Sequence, residues 1–194
     1  TVPAEHVLPL RTLAIARSLA HWVVETPKPA RAFLKSIGSD RPIAELAIAE
    51  IGAHPEAEHL RTLLASARAG EDIGVLSDAG CPGVADPGAA LVAAAHVQGL
   101  RVVPLVGPSS LLLALMASGM NGQRFEFHGY LPVKSEARVA AVRALEIASR
   151  SRRAAQLFIE TPYRNAAMLE TLAVTLAPAT RLCVAVDLTL PSES

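Results

Sequence analysis

A loop of twelve residues, 77–88, carries the residue types best suited to hold a ligand. It contains three glycines, two prolines and two aspartates, so its side chains have little bulk and its backbone is accessible, notably at Gly80 and Gly83. Asp78 adds a carboxylate, whereas Cys81 has no neighbouring motif that would activate a thiolate. The pattern favours a ligand held mainly by main-chain N–H and C=O groups, and tight turns that serve only packing are the alternative.

A second loop of the same kind, residues 107–110, has the sequence Gly-Pro-Ser-Ser and offers the hydroxyls of Ser109 and Ser110. Neither loop is a Walker motif, because no Lys-Ser or Lys-Thr follows the glycines. The glycine spacing in residues 77–88 does not fit a dinucleotide fingerprint either. The chain has no HExxH or Gly-x-Ser-x-Gly motif, so we expect neither a metal site nor a serine nucleophile.

Short apolar runs precede both loops, and apolar helical stretches follow them. Residues 73–76 and 101–106 are predicted strands, and residues 89–97 and 111–118 are predicted helices, the first of them capped by Asp86. A strand, loop and helix in alternation indicate an α/β fold with a mainly parallel sheet. In such sheets ligands bind beyond the carboxyl ends of the strands, which is where both loops are expected to lie.

The rest of the chain continues this alternation. Helices are predicted at 8–19, 27–38, 55–69, 136–150 and 163–176, strands at 22–24, 156–159 and 182–186, a short alternating stretch at 125–132, and either a helix or a strand at 43–51. The tripeptide Glu-Thr-Pro follows an apolar strand twice, at 25–27 and at 160–162. This repeat suggests two similarly built halves with a boundary near Gly107, although helix starts often resemble one another.

Composition narrows the function classes. Of the 194 residues 51% are hydrophobic and only 4% aromatic, and the formal net charge is zero, which argues weakly against a dedicated nucleic-acid binder. No apolar run is long enough for a membrane span, and two cysteines make no disulfide framework and fit a reducing cytoplasm. The basic stretch 134–153 could contact phosphates, or it could be the solvated face of a helix.

Five stretches of the chain, in this order, resemble the tetrapyrrole (corrin/porphyrin) methylase superfamily, and in particular its branch of small-subunit ribosomal RNA methyltransferases. They are Ser-Asp-Ala-Gly-Cys-Pro-Gly-Val-Ala-Asp-Pro-Gly at 77–88, Val-Val-Pro-Leu-Val-Gly-Pro-Ser-Ser at 102–110, Ala-Ser-Gly at 117–119, Gly-Tyr-Leu-Pro at 129–132 and Phe-Ile-Glu-Thr-Pro-Tyr-Arg at 158–164. The resemblance implies an α/β fold with two lobes, 1–107 and 108–194, and a homodimer. It also implies that S-adenosylmethionine binds in the cleft between the lobes.

The resemblance also implies which residues contact the cofactor. It implies contacts at Asp78, Cys81, Ser109, Ser110, Ile159, Glu160, Val186 and Asp187. With the first-loop glycines Gly80 and Gly83, these are the expected cofactor-binding residues. The family's first strand is absent before Thr1 and its closing strands are absent after Ser194, so we expect both lobes to lack these strands.

The resemblance implies that the protein is an S-adenosylmethionine-dependent methyltransferase. Its methyl acceptor is either an RNA ribose hydroxyl or a small molecule, and the alternative function is a non-enzymatic cofactor-binding or scaffold protein of the same fold. A ribose hydroxyl is a poor nucleophile, and His128 and Tyr130 are the nearest candidates for a base or a polarising contact. For His128, a structural hydrogen bond at a strand end is the alternative.

Overall fold

Parallel β-sheets form the centre of both halves of this α/β protein. In the computed structural model, which describes residues 3–194, one unit ends at Ser109 and the other runs from Ser110 to Ser194. The strands are β1 (His21–Val24), β2 (Ala47–Glu50), β3 (Ile73–Leu76), β4 (Phe125–Tyr130) and β5 (Ala155–Ile159). The helices are α1 (Leu10–Ser18), α2 (Pro27–Ser36), α3 (Ala57–Leu63), α4 (Ala65–Arg68), α5 (Ala89–Val97), α6 (Ser110–Ser118), α7 (Ser135–Arg152) and α8 (Asn165–Thr175).

The N-terminal unit is organised around β1, the central strand of a parallel sheet with the order β2-β1-β3. Because successive side chains of a strand point to opposite faces, Trp22 and Val24 pack in one apolar cluster and Val23 in another. The register places Trp22 beside Gly74 of β3, where a Cβ atom would come within 2.5 Å of the indole ring. Gly74 therefore makes room for the indole, and both faces of β1 are buried.

The C-terminal unit is built on the parallel pair β4–β5. Helices α7 and α8 pack together, and their buried residues Val142, Met168 and Leu172 form a core with Leu131, which directly follows β4. The longest helix, α7, has 18 residues and several arginines. Within residues 3–194, no helix combines the length and the apolar character needed to cross a membrane.

Two of the expected strands, 101–106 and 182–186, do not form. Neither segment joins a ladder with the described residues, and a strand exists only where a neighbour accepts and donates its backbone hydrogen bonds. Pro104 offers no N–H, and Val106 is exposed. In the second segment, Val186 alone exchanges backbone hydrogen bonds, with Ser194. Both segments have the apolar composition of a strand, but no strand of the described residues pairs with them.

Other boundaries differ from those expected. Asp86 does not cap α5, which begins at Ala89 with Gly88 at the N-cap position and a φ of 138°. The helix expected at 55–69 is interrupted at Leu64, between α3 and α4. The ambiguous stretch 43–51 becomes a short 3₁₀ turn followed by β2. These corrections all concern ends and interruptions, where side-chain pattern alone is a poor guide.

Candidate functional site

Two hydrogen bonds connect the loop that follows β3 with neighbouring segments of the N-terminal unit. The Asp78 N–H donates to Oε2 of Glu25, the first residue after β1, over 3.0 Å. The Cys81 thiol donates to the Pro108 carbonyl over 3.3 Å. The structure therefore brings together the carboxyl ends of β1 and β3 and the segment that contains Ser109. Sequence reasoning missed Glu25 as a site residue, although its position in the repeated Glu-Thr-Pro tripeptide was a signal.

The shape of the loop 77–88 depends on its glycines. Gly80 and Gly83 have φ values of 67° and 79°, in the left-handed region that side chains with a Cβ rarely adopt. The Gly83 N–H donates to the Pro87 carbonyl over 3.2 Å. A Cβ on Gly88 would lie 3.1 Å from the Gly83 nitrogen, which is tighter than ordinary contact. The loop is thus a closed turn whose close backbone approach requires glycine.

The electrostatic character of this region is negative. Burial raises the pKa of Asp86 above its ordinary value of 3.8, and the charges of Glu25 and Asp78 raise it further, while a hydrogen bond with Ser77 opposes them. No lysine or arginine belongs to the loops 77–88 or 107–110. Among residues 3–194, no group of three or more His, Cys, Asp and Glu side chains is placed to hold a metal ion. The region therefore suits a cationic ligand better than a phosphate.

We expect Asp86→Asn to stabilise the protein at pH 7. The pKa of Asp86 is raised in the folded state, so folding favours the protonated carboxyl over the charged one. The protonated carboxyl therefore contributes stability below pH 3.8, and this contribution is lost as the pH rises through the raised pKa. The asparagine removes this dependence. Thermal unfolding should give a higher Tm for the variant at pH 7, with the difference narrowing as the pH falls towards 3.8. An equal or lower Tm at pH 7 would contradict the prediction.

The residues expected to bind the cofactor in the C-terminal unit lie around one cavity of about 480 Å³. These lining residues are Ser110, Ile159, Glu160, Val186 and Asp187. Most of the remaining wall is apolar and comes from α6, α7, α8 and β5. An apolar cavity with a few polar groups at its edge is the usual form of a small-molecule site. The structure thus brings these five residues together, and their role as cofactor contacts stays a prediction.

Glu146 on α7 fixes the segment that follows α8 along this cavity. Its carboxylate accepts hydrogen bonds from the Thr180 hydroxyl and, over 2.9 Å, from the Ala177 N–H. These bonds, and then the nearby Arg150 guanidinium, hold the pKa of Glu146 below its ordinary value. The carboxylate is therefore charged near neutral pH, and it anchors one wall of the cavity.

Glu160 follows β5 as Glu25 follows β1, and it is almost completely buried. Its Oε1 accepts the Thr161 N–H over 2.8 Å, and the Arg164 Nη2 lies 3.0 Å from its Oε2. Only 8% of the Glu160 side chain and 16% of the Arg164 side chain are exposed. The same Nη2 donates to the Leu131 carbonyl over 2.8 Å. This buried ion pair therefore ties the end of β5 to the end of β4, a role for Arg164 that sequence reasoning missed.

The two candidate catalytic side chains both lie on β4 but in different surroundings. The His128 Nε2 is 2.7 Å from the Gln156 Oε1 and 4.0 Å from the Glu126 Oε2, and Arg152 pairs with the same Glu126. His128 thus belongs to a polar cluster of side chains and not to a backbone contact at a strand end. Tyr130 is the last residue of β4 and is half exposed. A catalytic role for either residue stays a prediction.

We expect His128→Ala to lower turnover by less than a hundredfold and to leave cofactor affinity nearly unchanged. General-base catalysis contributes roughly 10²–10⁴-fold, and the contact with Gln156 engages the imidazole in the free protein. Single-turnover rates, cofactor affinity and Tm should be measured for this variant. Gln156→Ala is the matched control, because it removes the same contact and keeps the imidazole. A fall in Tm with an unchanged rate would remove His128 from the mechanism.

The basic stretch 134–153 is partly engaged within its own unit. Arg138 donates to the Thr171 hydroxyl, and Arg150 and Arg152 pair with glutamates. Lys134 is exposed and has no ion-pair partner among the described residues. Only part of this stretch is therefore available to an external phosphate.

Comparison with known proteins links the chain to RNA methyltransferases. It is 34% identical over 163 residues, 84% of its length, to ribosomal RNA small subunit methyltransferase I of Pseudomonas aeruginosa, and 38% identical over 141 residues, 73% of its length, to the protein of that name from Escherichia coli O157:H7. These matches cover 54% and 48% of the relatives, so the chain spans about half the length of the curated relatives it matches. No family model matches the chain.

The fold has a counterpart among solved structures. The crystal structure of the methyltransferase CobJ matches 98% of this chain and 79% of its own chain, with a TM-score of 0.59 and 21% sequence identity. At this identity the likeness concerns the fold alone. The α/β architecture with parallel sheets is thus shared with a solved methyltransferase structure.

Proposed function

We propose that the chain belongs to the tetrapyrrole methylase superfamily and that the protein is an S-adenosylmethionine-dependent methyltransferase acting on small-subunit ribosomal RNA. The observation that carries the proposal is the 34% identity to ribosomal RNA small subunit methyltransferase I over 84% of the chain. Two hydrogen bonds at the carboxyl ends of β1 and β3 also support it. They join the loop that follows β3 to Glu25 and to Pro108, and such joined loops can hold a cofactor in a fixed orientation.

The N-terminal loops fit S-adenosylmethionine in charge and in the type of contact they offer. The cofactor carries a sulfonium cation and an ammonium group, and the nearby carboxylates include Asp78 without a competing lysine or arginine in the loops. Main-chain groups at Gly80 and Gly83 would approach the cofactor closely. Cys81 and Ser109 stand on the two segments that the Cys81–Pro108 hydrogen bond holds together. We therefore assign these residues to cofactor binding.

The residues of the C-terminal cavity are the second part of the assignment. We propose that Ser110, Ile159, Glu160, Val186 and Asp187 also contact the cofactor, as the family resemblance implies. Their common position along one cavity supports the assignment. Asp187 has a φ of 54°, in a region that Asp tolerates better than most residues, and Asp187→Asn tests its charge without changing its shape.

In this proposal the chain's own residues bind the cofactor and the acceptor, orient them towards each other and exclude water. The bound cofactor supplies an electrophilic methyl group on a sulfonium sulfur. A glycine turn closed by its own hydrogen bonds is already organised before the ligand arrives, so little order must be created on binding. If the acceptor is a ribose hydroxyl, its proton must be removed, and His128 and Tyr130 are the candidate groups on this chain.

Labelling with radioactive S-adenosylmethionine tests the activity and the acceptor together. The protein is incubated with the cofactor and with either small ribosomal subunits or a metabolite extract, both from a strain that lacks the gene. We expect label in the RNA fraction. Alkaline hydrolysis then locates the methyl group, because a methylated 2′-oxygen cannot attack the adjacent phosphate and leaves a resistant dinucleotide.

The same experiment tests the alternatives. Label in the metabolite fraction alone would replace RNA by a small-molecule acceptor. Calorimetric binding of the cofactor without label in either fraction would favour a non-enzymatic binding or scaffold protein. An absence of binding at millimolar cofactor would contradict the proposal as a whole.

Assembly and location follow from the same proposal. We propose a homodimer, as the family resemblance implies, and light scattering of the purified protein tests it. We also propose a cytoplasmic location, because the proposed acceptor is part of the ribosome.

A further inference from the structure

Both tyrosines of the chain follow or end a strand at the carboxyl end of the parallel β4–β5 pair. The chain has only two, Tyr130 at the end of β4 and Tyr163 in the 3₁₀ turn that follows β5. Tyr130 is 51% exposed and Tyr163 is 85% exposed. Of the few aromatic residues in the chain, 4% of its length, two are therefore exposed at the carboxyl end of one sheet.

Strand pairing and one side-chain hydrogen bond join the two segments that carry the tyrosines. The register pairs Tyr130 with Ile159, four residues before Tyr163. The neighbour of each tyrosine points inward, since Leu131 is buried and the Arg164 side chain is only 16% exposed. These two neighbours are joined by the hydrogen bond from Arg164 Nη2 to the Leu131 carbonyl. The segments that carry the rings are therefore fixed to each other before any ligand binds.

Exposed rings on a fixed support are suited to stacking. A tyrosine has two side-chain torsions and loses little entropy on binding, and its ring face can stack on any unpaired nucleobase. Proteins recognise RNA in this way at single-stranded positions, where bases can be splayed out. A cation close to the rings would contact the phosphate, and the exposed Lys134 lies four residues after Tyr130 without an ion-pair partner among the described residues.

We propose that Tyr130 and Tyr163 form a stacking platform for an unpaired base of the RNA acceptor. The inference rests on the proposed RNA substrate and adds the part of the chain that recognises it. Tyr130 then acts in substrate binding, and the base seated on the platform sets which nucleotide is presented for methylation.

Tyrosine-selective NMR tests the platform directly, because two tyrosines give two sets of ring signals. The protein is labelled with ¹³C-tyrosine and titrated with a short, unstructured oligoribonucleotide and with an abasic oligonucleotide of equal length. We expect upfield ring-current shifts of both tyrosines with the base-containing strand and none with the abasic strand. Unchanged tyrosine signals at saturation, or equal shifts with both strands, would overturn the proposal.

Variants at position 163 separate stacking from simple apolar contact. Tyr163→Leu should weaken oligoribonucleotide binding by roughly 5- to 150-fold, and Tyr163→Phe should retain most of it. Val174→Ala is the matched control, because Val174 is 77% exposed in the same unit but lies outside the platform. Equal RNA affinity of the leucine and phenylalanine variants would overturn the inference. It would also be overturned if Tyr163→Leu abolished self-association of the protein and left its RNA binding unchanged.

The two proposals fail in different ways. Methylation of RNA that is unaffected by Tyr163→Leu would leave the proposed function intact and reject the platform. Base-dependent shifts of the tyrosine signals without methyl transfer to RNA would support the platform as an RNA-binding surface and reject the proposed reaction.

Discussion

Replacing Gly83 by valine is expected to abolish S-adenosylmethionine binding while the protein stays folded. At a φ of 79° a β-branched residue is strained by roughly 1–3 kcal/mol, and the turn can relieve that strain only by moving. Such a movement breaks the hydrogen bond from the Gly83 N–H to Pro87 and the close contact with Gly88. The buried clusters of the unit do not include this loop, so the loss should be confined to the binding site.

Gly38→Val supplies the matched control for this prediction. Gly38 has a φ of 75°, and nothing lies within 4 Å of a Cβ placed there, so valine meets the same backbone strain outside the loop. Isothermal calorimetry should show no binding for Gly83→Val and unchanged affinity for Gly38→Val, with similar decreases in Tm for both. Retained cofactor affinity in Gly83→Val would show that the turn does not hold the ligand.

The fold could be predicted from the sequence wherever the signal was local. The apolar run 73–76, the glycine loop after it and the helix at 89–97 were all placed correctly by composition and spacing. The prediction of strands at 101–106 and 182–186 was wrong in both cases for the same reason. A strand depends on a partner that local sequence does not reveal, and neither segment forms a ladder with the described residues.

The sequence predicts the loops of the candidate site but not their contacts. Glycine and proline content predicts a ligand loop at 77–88, and this stays a prediction, whereas the hydrogen bond between Asp78 and Glu25 joins residues 53 positions apart. No local pattern predicts such a pairing. The repeated Glu-Thr-Pro tripeptide pointed to Glu25 only in retrospect, through its likeness to Glu160.

The two copies of this tripeptide have different roles in their units. Both glutamates follow a strand and accept a backbone N–H, Glu25 from Asp78 and Glu160 from Thr161. The residue four positions later is Pro29 in the first copy and Arg164 in the second. Only the second copy can therefore form a buried ion pair, and its carboxylate serves the packing of the unit as well as its loop.

Replacing Arg164 by methionine is expected to destabilise the C-terminal unit by about 3–5 kcal/mol, the usual result of leaving one partner of a buried ion pair unpaired. The Glu160 side chain is 8% exposed and its Oε2 accepts no hydrogen bond from the described residues, so Arg164 provides its main compensation. The Leu131 carbonyl would lose a donor as well. Urea unfolding measures the loss, and Arg164→Met combined with Glu160→Gln should recover part of it, because the buried charge is then gone.

An exposed arginine–glutamate pair gives the loss of unfolding free energy with which Arg164→Met is compared. Arg61 and Glu58 lie 2.6 Å apart, with 59% and 77% of their side chains exposed, and exposed pairs contribute roughly 0–1 kcal/mol. Arg61→Met should therefore change the free energy of unfolding very little. If Arg164→Met costs no more than Arg61→Met, Glu160 is hydrated in solution and the ends of β4 and β5 are not joined by the ion pair. That result would also remove the rigid support beneath Tyr130 and Tyr163, because the same guanidinium joins the two segments that carry them.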